Sequence, residues 1–127
     1  MKIIIILLLT FLSYPCWGEW VLISKNSQGD STYVDNNSIS IKGPYLYYWE
    51  LLDYKKINEE YGYMSTTIFK EVDCNSTAFQ TLQIISFTKP MGEGSILRNY
   101  NPNKKLVIAP WGSSNYHSLR AACQYIK

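Results

Sequence analysis

The stretch "IFKEVDCNSTAF", residues 68–79, decides how the chain is read. Ile68 to Val72 has the β-branched and aromatic character of a strand, and Asn75-Ser76-Thr77 turns the chain straight after Cys74. Three roles are open to Cys74: nucleophile, metal ligand, or half of a disulfide. A nucleophile needs a base. The only histidine, His117, lies six residues before Cys123, a spacing that sets the two well apart around a helix and leaves only a dyad assembled by tertiary structure. A metal site needs clustered ligands, and no C-x-x-C, H-x-x-x-H or acidic calcium loop occurs.

The compartment settles which role is expected. The chain of 127 residues opens "MKIIIILLLTFLSYPCWGEW", which reads as a secretory signal peptide over residues 1–18. Lys2 supplies the charge and Ile3–Leu12 the apolar run, which is shorter than the roughly 20 residues of a membrane-spanning helix. Pro15 breaks the run, and Cys16 and Gly18 put small residues where a signal peptidase cuts, before Glu19. Cys16 is a poor lipidation site, because Ser13-Tyr14-Pro15 precede it where small residues are needed. Residues 19–127 then form a single exported domain with no transmembrane segment.

That domain keeps two cysteines, Cys74 and Cys123, and an even count in a small exported chain argues for a disulfide. Closing a loop of that length is worth up to about 4 kcal/mol in the chain-entropy model. Loss of Lys2 leaves basic and acidic side chains almost in balance, so charge gives no case for nucleic acid or an anionic membrane.

Patterning predicts strands punctuated by turns, with one helix at the end. Strands are expected over 19–25, around 32–36 and 38–42, over 45–54, over 63–74 and 78–89 as a long hairpin, near 95–100, and over 106–110. The segment "KKINEEYG" reads as a loop and "PMGEGS" as a glycine-rich turn rather than a phosphate cradle. Ser113-Ser114-Asn115 can cap a helix whose apolar face carries Tyr116, Leu119, Cys123 and Ile126. With Cys123 on that face, a bond to Cys74 would clamp the helix onto the sheet.

Little here points to catalysis. His117 reads as a surface residue. Asp30, Asp35, Asp53 and Asp73 fall at strand ends, where carboxylates commonly accept hydrogen bonds from turn N–H groups, and no spacing pairs them as acid and base. The stripe Tyr45, Tyr47 and Trp49 has two readings: the plainer is that the helix covers it, and the other makes it half of a partner-binding surface or an apolar groove. No catalytic residue, metal ligand or cofactor is assigned.

The ordered set of motifs resembles the surface-adhesin protein E family of small exported bacterial domains. The residues that carry the resemblance are Trp20 with Ile23-Ser24, Gly29-Asp30 with Tyr33-Val34-Asp35, and Ser38-Ile39. They continue with Trp49-Glu50-Leu51, Asp53-Tyr54, Lys70 to Cys74, Met91 to Gly94, Pro110 with Gly112-Ser113, and Cys123. The resemblance implies an α+β fold: an antiparallel sheet of about six strands with a C-terminal helix tethered to its concave face by the disulfide. It also implies a Gram-negative source, location in the periplasm or at the outer surface, and a non-enzymatic protein partner, for the naming adhesin a host matrix protein. It admits a homodimer. Two departures stand out, Trp111 between Pro110 and Gly112, and Lys105-Leu106 where relatives often place a tryptophan. The rival reading is a periplasmic module that binds a small ligand or inhibits an enzyme, which predicts a groove between helix and sheet.

Overall fold

The computed structural model describes residues 19–126; the leader read over residues 1–18, with Cys16, lies outside the described residues. The described chain is one antiparallel sheet with a helix on one face. Its strands are β1 (Trp20–Lys25), β2 (Ser31–Asp35), β3 (Ser40–Lys42), β4 (Tyr45–Asp53), β5 (Ser65–Asp73), β6 (Ala78–Phe87), β7 (Ile96–Tyr100) and β8 (Val107–Ile108). The helix α1 spans Ser114–Tyr125.

The sheet order is β1-β2-β4-β5-β6-β7, so the expected six strands form its body. Two short strands complete it. β3 lies beside the first half of β4, pairing with Tyr45–Tyr47, while β2 takes the second half from Glu50 to Asp53. On the far side β8 pairs with Ala78 and Phe79, and β7 with the other end of β6. The strand expected over 38–42 is shorter than its alternation suggested. Asn36–Ser38 forms a single 3-10 turn instead, because Asp35 caps it by accepting from the Asn37 N–H.

All four strand-end aspartates do what turn chemistry predicts. Asp30 accepts from Lys55 N, Asp35 from Asn37 N, Asp53 from Met91 N and Asp73 from Asn75 N, at 2.8–2.9 Å. The Asp53 bond matters most for architecture. It holds the Pro90–Gly92 turn, in which Met91 sits in the left-handed region at φ 60° and Gly92 at φ 70°. Ser65 completes the latch by accepting from Gly92 N at 2.9 Å and donating to Lys89 O at 2.6 Å. The turn therefore folds against the end of β4 and β5, where Leu51 and Thr67 are buried.

α1 packs against β1, β2 and β4. Ser113 caps it, its hydroxyl accepting from Tyr116 N at 3.1 Å. A helix of twelve residues is marginal alone, so burial has to hold it. Val34, Leu46, Tyr48, Val72 and Phe79 from the sheet meet Leu119 and Ala122 from the helix. Full burial of Leu119 is worth about 2 kcal/mol. The expected helix stripe is close but rotated: Ser118, Leu119 and Ala122 are buried, whereas Ile126 is 37% exposed and Tyr116 and Cys123 are half-buried. The rotation follows the sheet, because Tyr48 reaches Ser118.

Candidate functional site

Cys74, immediately after β5, is bonded to Cys123 of α1, with Cα atoms 5.9 Å apart. The bond joins helix to sheet as the spacing and compartment implied. It withdraws both sulfurs from nucleophilic or metal chemistry. Among the described residues no group of three His, Cys, Asp or Glu side chains is placed to hold a metal ion. His117 is exposed on the helix.

The two faces of the sheet follow from strand alternation. On β4 the even positions Leu46, Tyr48 and Glu50 look toward the helix, and the odd positions Tyr45, Tyr47 and Trp49 look away. The helix side contains polar groups that strand periodicity did not reveal. Lys70 of β5 and Glu50 of β4, 2% and 1% exposed, form an ion pair with Nζ to Oε distances of 2.9 and 3.0 Å. Lys70 also donates to Asn115 Oδ1 of α1 at 2.7 Å, and its ammonium stands 4.7 Å from the Phe79 ring centre. The hydroxyls of Tyr48 and Ser118 share a hydrogen bond of 2.5 Å. Burial raises the Tyr48 phenol well above its ordinary value, and the nearby Glu50 carboxylate adds to the shift. These contacts fix the helix on the sheet; sequence reading had placed Glu50 and Lys70 on no particular surface.

The opposite face is where the aromatic stripe lies. The plainer expectation, that the helix covers Tyr45, Tyr47 and Trp49, is corrected: α1 sits on the other side. Trp49 and Tyr47 flank Phe69, their ring centres 5.0 and 6.0 Å from its own. The Tyr47 hydroxyl donates to Glu71 Oε2 at 2.6 Å, and Gln80 Nε2 donates to the other oxygen of the same carboxylate. That bond to Glu71 raises the Tyr47 phenol above its ordinary value. Register puts Leu22, Tyr33, Gln83 and Ile85 on the same side. At one end the Pro90–Gly92 turn covers Leu51, and elsewhere these side chains are half-buried or exposed. Tyr45, at the start of β4, also borders a small apolar cavity of about 190 Å³ between the sheet and the end of α1, lined with it by Ile41, Pro44, Leu46, Ile126 and the disulfide.

The profile of "Surface-adhesin protein E" matches residues 20–124. The chain belongs to the surface-adhesin protein E family. Solved structures agree at the level of fold. Crystal form II of Haemophilus influenzae protein E superposes with a TM-score of 0.67 at 15% identity, covering 89% of this chain and 94% of that one. The selenomethionine form of the same protein gives 0.68 at 12% identity, covering 87% and 89%. Protein E from non-typeable Haemophilus influenzae gives 0.61 at 14%, covering 87% and 78%. No curated protein sequence matches the chain. Membership of the surface-adhesin protein E family supports an adhesin with a protein partner. No helix among the described residues is long and apolar enough to cross a membrane.

Proposed function

We propose that this member of the surface-adhesin protein E family is an exported, non-enzymatic adhesin that contacts a host extracellular-matrix protein through its open sheet face. The observation that carries the reading is the aromatic surface of Tyr47, Trp49 and Phe69 on the face that α1 leaves uncovered. Tyrosine and tryptophan anchors are over-represented among the residues that dominate protein interfaces, because each brings a large rigid area and a polar tip. Tyr45 extends the surface toward the disulfide. Glu71 sits beneath as a fixed acceptor that orients Tyr47. Export and cleavage before Glu19 put the domain outside the inner membrane, and the Cys74–Cys123 bond suits an oxidising compartment.

The rival small-ligand reading called for a groove between helix and sheet. Helix and sheet are in direct contact through Leu119, Ala122 and the hydrogen bonds to Asn115 and Ser118, and the apolar opening between them at the disulfide end, lined by Leu46, Cys123 and Ile126, holds about 190 Å³, less than the roughly 300–1,000 Å³ of ordinary ligand pockets. The reading is tested by protease shaving of intact cells carrying a C-terminal epitope tag, combined with binding of the purified protein to a panel of immobilised matrix proteins. Loss of the tag while a periplasmic control survives, and binding reduced by Trp49→Ala but not by His117→Ala, are the expected results. A tag protected until the outer membrane is opened would sink the adhesin reading.

A further inference from the structure

Strand β7 ends the sheet, and no described element pairs with its outer edge. All five of its residues are exposed. The backbone groups along such an edge form a ready template for another extended chain. A nucleic acid or a glycan cannot continue that ladder; a polypeptide can.

Arg98 stands on this strand, its guanidinium carbon 4.7 Å from the Tyr100 ring centre and 5.4 Å from that of Tyr61. Rings so placed hold the guanidinium plane and leave its N–H edge free for a carboxylate. The one ion pair among the described residues joins Lys70 to Glu50, so Arg98 has no carboxylate of its own. The edge segment carries the same sign: between residues 88 and 112 stand Lys89, Arg98, Lys104 and Lys105 against Glu93 alone, while the segment that brings Tyr61 is balanced, Lys55 and Lys56 against Glu59 and Glu60. Beside the charge the edge is apolar, with Ile96 57% and Leu97 44% exposed.

We propose that the outer edge of β7 receives an extended acidic polypeptide segment as an added strand, with a carboxylate of that segment held by Arg98 between Tyr61 and Tyr100. The bulge at Leu97 bends the strand between Ile96 and Arg98. It keeps the added ladder short, so the side-chain clamp supplies the specificity and the binding weakens with salt. The proposal rests on the reading of the domain as a protein-binding module and assigns it a contact surface other than the open aromatic face.

The test is an amide-resonance titration of the purified, isotope-labelled protein with a blocked peptide of alternating valine and glutamate at up to millimolar concentration. The valine–lysine peptide and a sulfated oligosaccharide serve as comparisons. The valine–glutamate peptide is expected to shift the amides of Ile96–Tyr100 and slow their exchange. Arg98→Gln is expected to weaken it about tenfold, with Arg98→Lys recovering only part. Four results would overturn the proposal: no shift on β7, equal binding of the lysine peptide, binding that Arg98→Gln leaves unchanged, or oligosaccharide binding in place of the peptide. A fifth is slow exchange of the β7 amides that appears on concentrating the protein alone, which would give the edge to a second copy. The titration asks nothing of the cell surface. Its failure with matrix binding intact sinks the edge alone, and failure of the shaving experiment leaves its result standing.

Discussion

Two neighbouring tyrosines on β4 meet opposite surroundings. Tyr48 is buried under α1, bonded to Ser118 and close to the Glu50–Lys70 pair. Tyr47 is on the open face, stacked near Phe69 and bonded to Glu71 at the surface. Each hydroxyl has a partner, yet the energetic consequences differ. Beneath the helix a lost partner strands a polar group away from water, whereas on the open face water takes its place. The covered face therefore spends its polar groups on fixing one helix position. The open face keeps its polar groups and aromatic rings available to something else.

The hardest way to break the covered face is to remove one member of its ion pair. Lys70→Met leaves Glu50 buried with no cation, and a loss of about 3–5 kcal/mol is expected in urea unfolding. Against a typical total of about 5–15 kcal/mol this can unfold the domain. The double variant Lys70→Met with Glu50→Leu removes both charges and should recover most of the loss, since replacing a buried pair by packed apolar groups is often neutral. If the double variant is no better than the single one, the cost lies in packing or in the Asn115 bond rather than in the stranded charge.

Next in size is the covalent clamp. Cys74→Ala with Cys123→Ala opens a loop of 49 residues, and a loss of about 2–4 kcal/mol is expected. Unlike the ion-pair variant, this one should leave the sheet's amide protection largely intact while the amides of α1 exchange faster, because a twelve-residue helix depends on being held. Uniform loss of protection across sheet and helix would mean that the two form one cooperative unit.

How much of this was legible in sequence depends on the range of each interaction. The bonds of Asp35 and Asp73 are local, and the residue type with its position at a strand end was enough; Asp30 and Asp53 showed the same role in sequence but not their distant partners, Lys55 N and Met91 N. The disulfide is distant in sequence, but cysteine count and compartment left one pairing. The buried pair had no such signal. Glu50 and Lys70 lie on different strands, twenty residues apart, and each alone looks like a solvent-facing residue in an alternating run. Neither charge entered the choice of face, and the helix was expected over the aromatic positions of β4, Tyr45, Tyr47 and Trp49. Only pairing of β4 with β5, which sets Lys70 diagonally across from Glu50, makes the charged face the buried one. The β7 edge was hidden for a different reason. Arg98, Tyr100 and Tyr61 are brought together by the loop after β4 folding back, which no periodicity encodes.

The finest discrimination between the faces comes from the two tyrosines themselves. Tyr48→Phe deletes the partner of a buried serine hydroxyl, a loss of about 1–2 kcal/mol. The lower end is expected, because a helical serine can turn its hydroxyl toward the carbonyl four residues back. Tyr47→Phe, at the surface, should barely move the unfolding midpoint. Alkaline pH separates them further. Both phenols are raised above their ordinary value, Tyr48 chiefly by burial and Tyr47 chiefly by its bond to Glu71. A raised phenol means that the folded state holds the proton more tightly than the unfolded chain does. Its stabilising contribution is then complete below about pH 10, the unfolded value, and declines as pH rises beyond it. Urea midpoints measured across that range should fall steeply for the parent protein and for Tyr47→Phe, and less steeply for Tyr48→Phe, with Tyr54, also raised by burial, sustaining the remaining slope. If Tyr47→Phe flattens the alkaline decline as much as Tyr48→Phe does, the open face is closed to water in solution, and the contrast between the two faces fails.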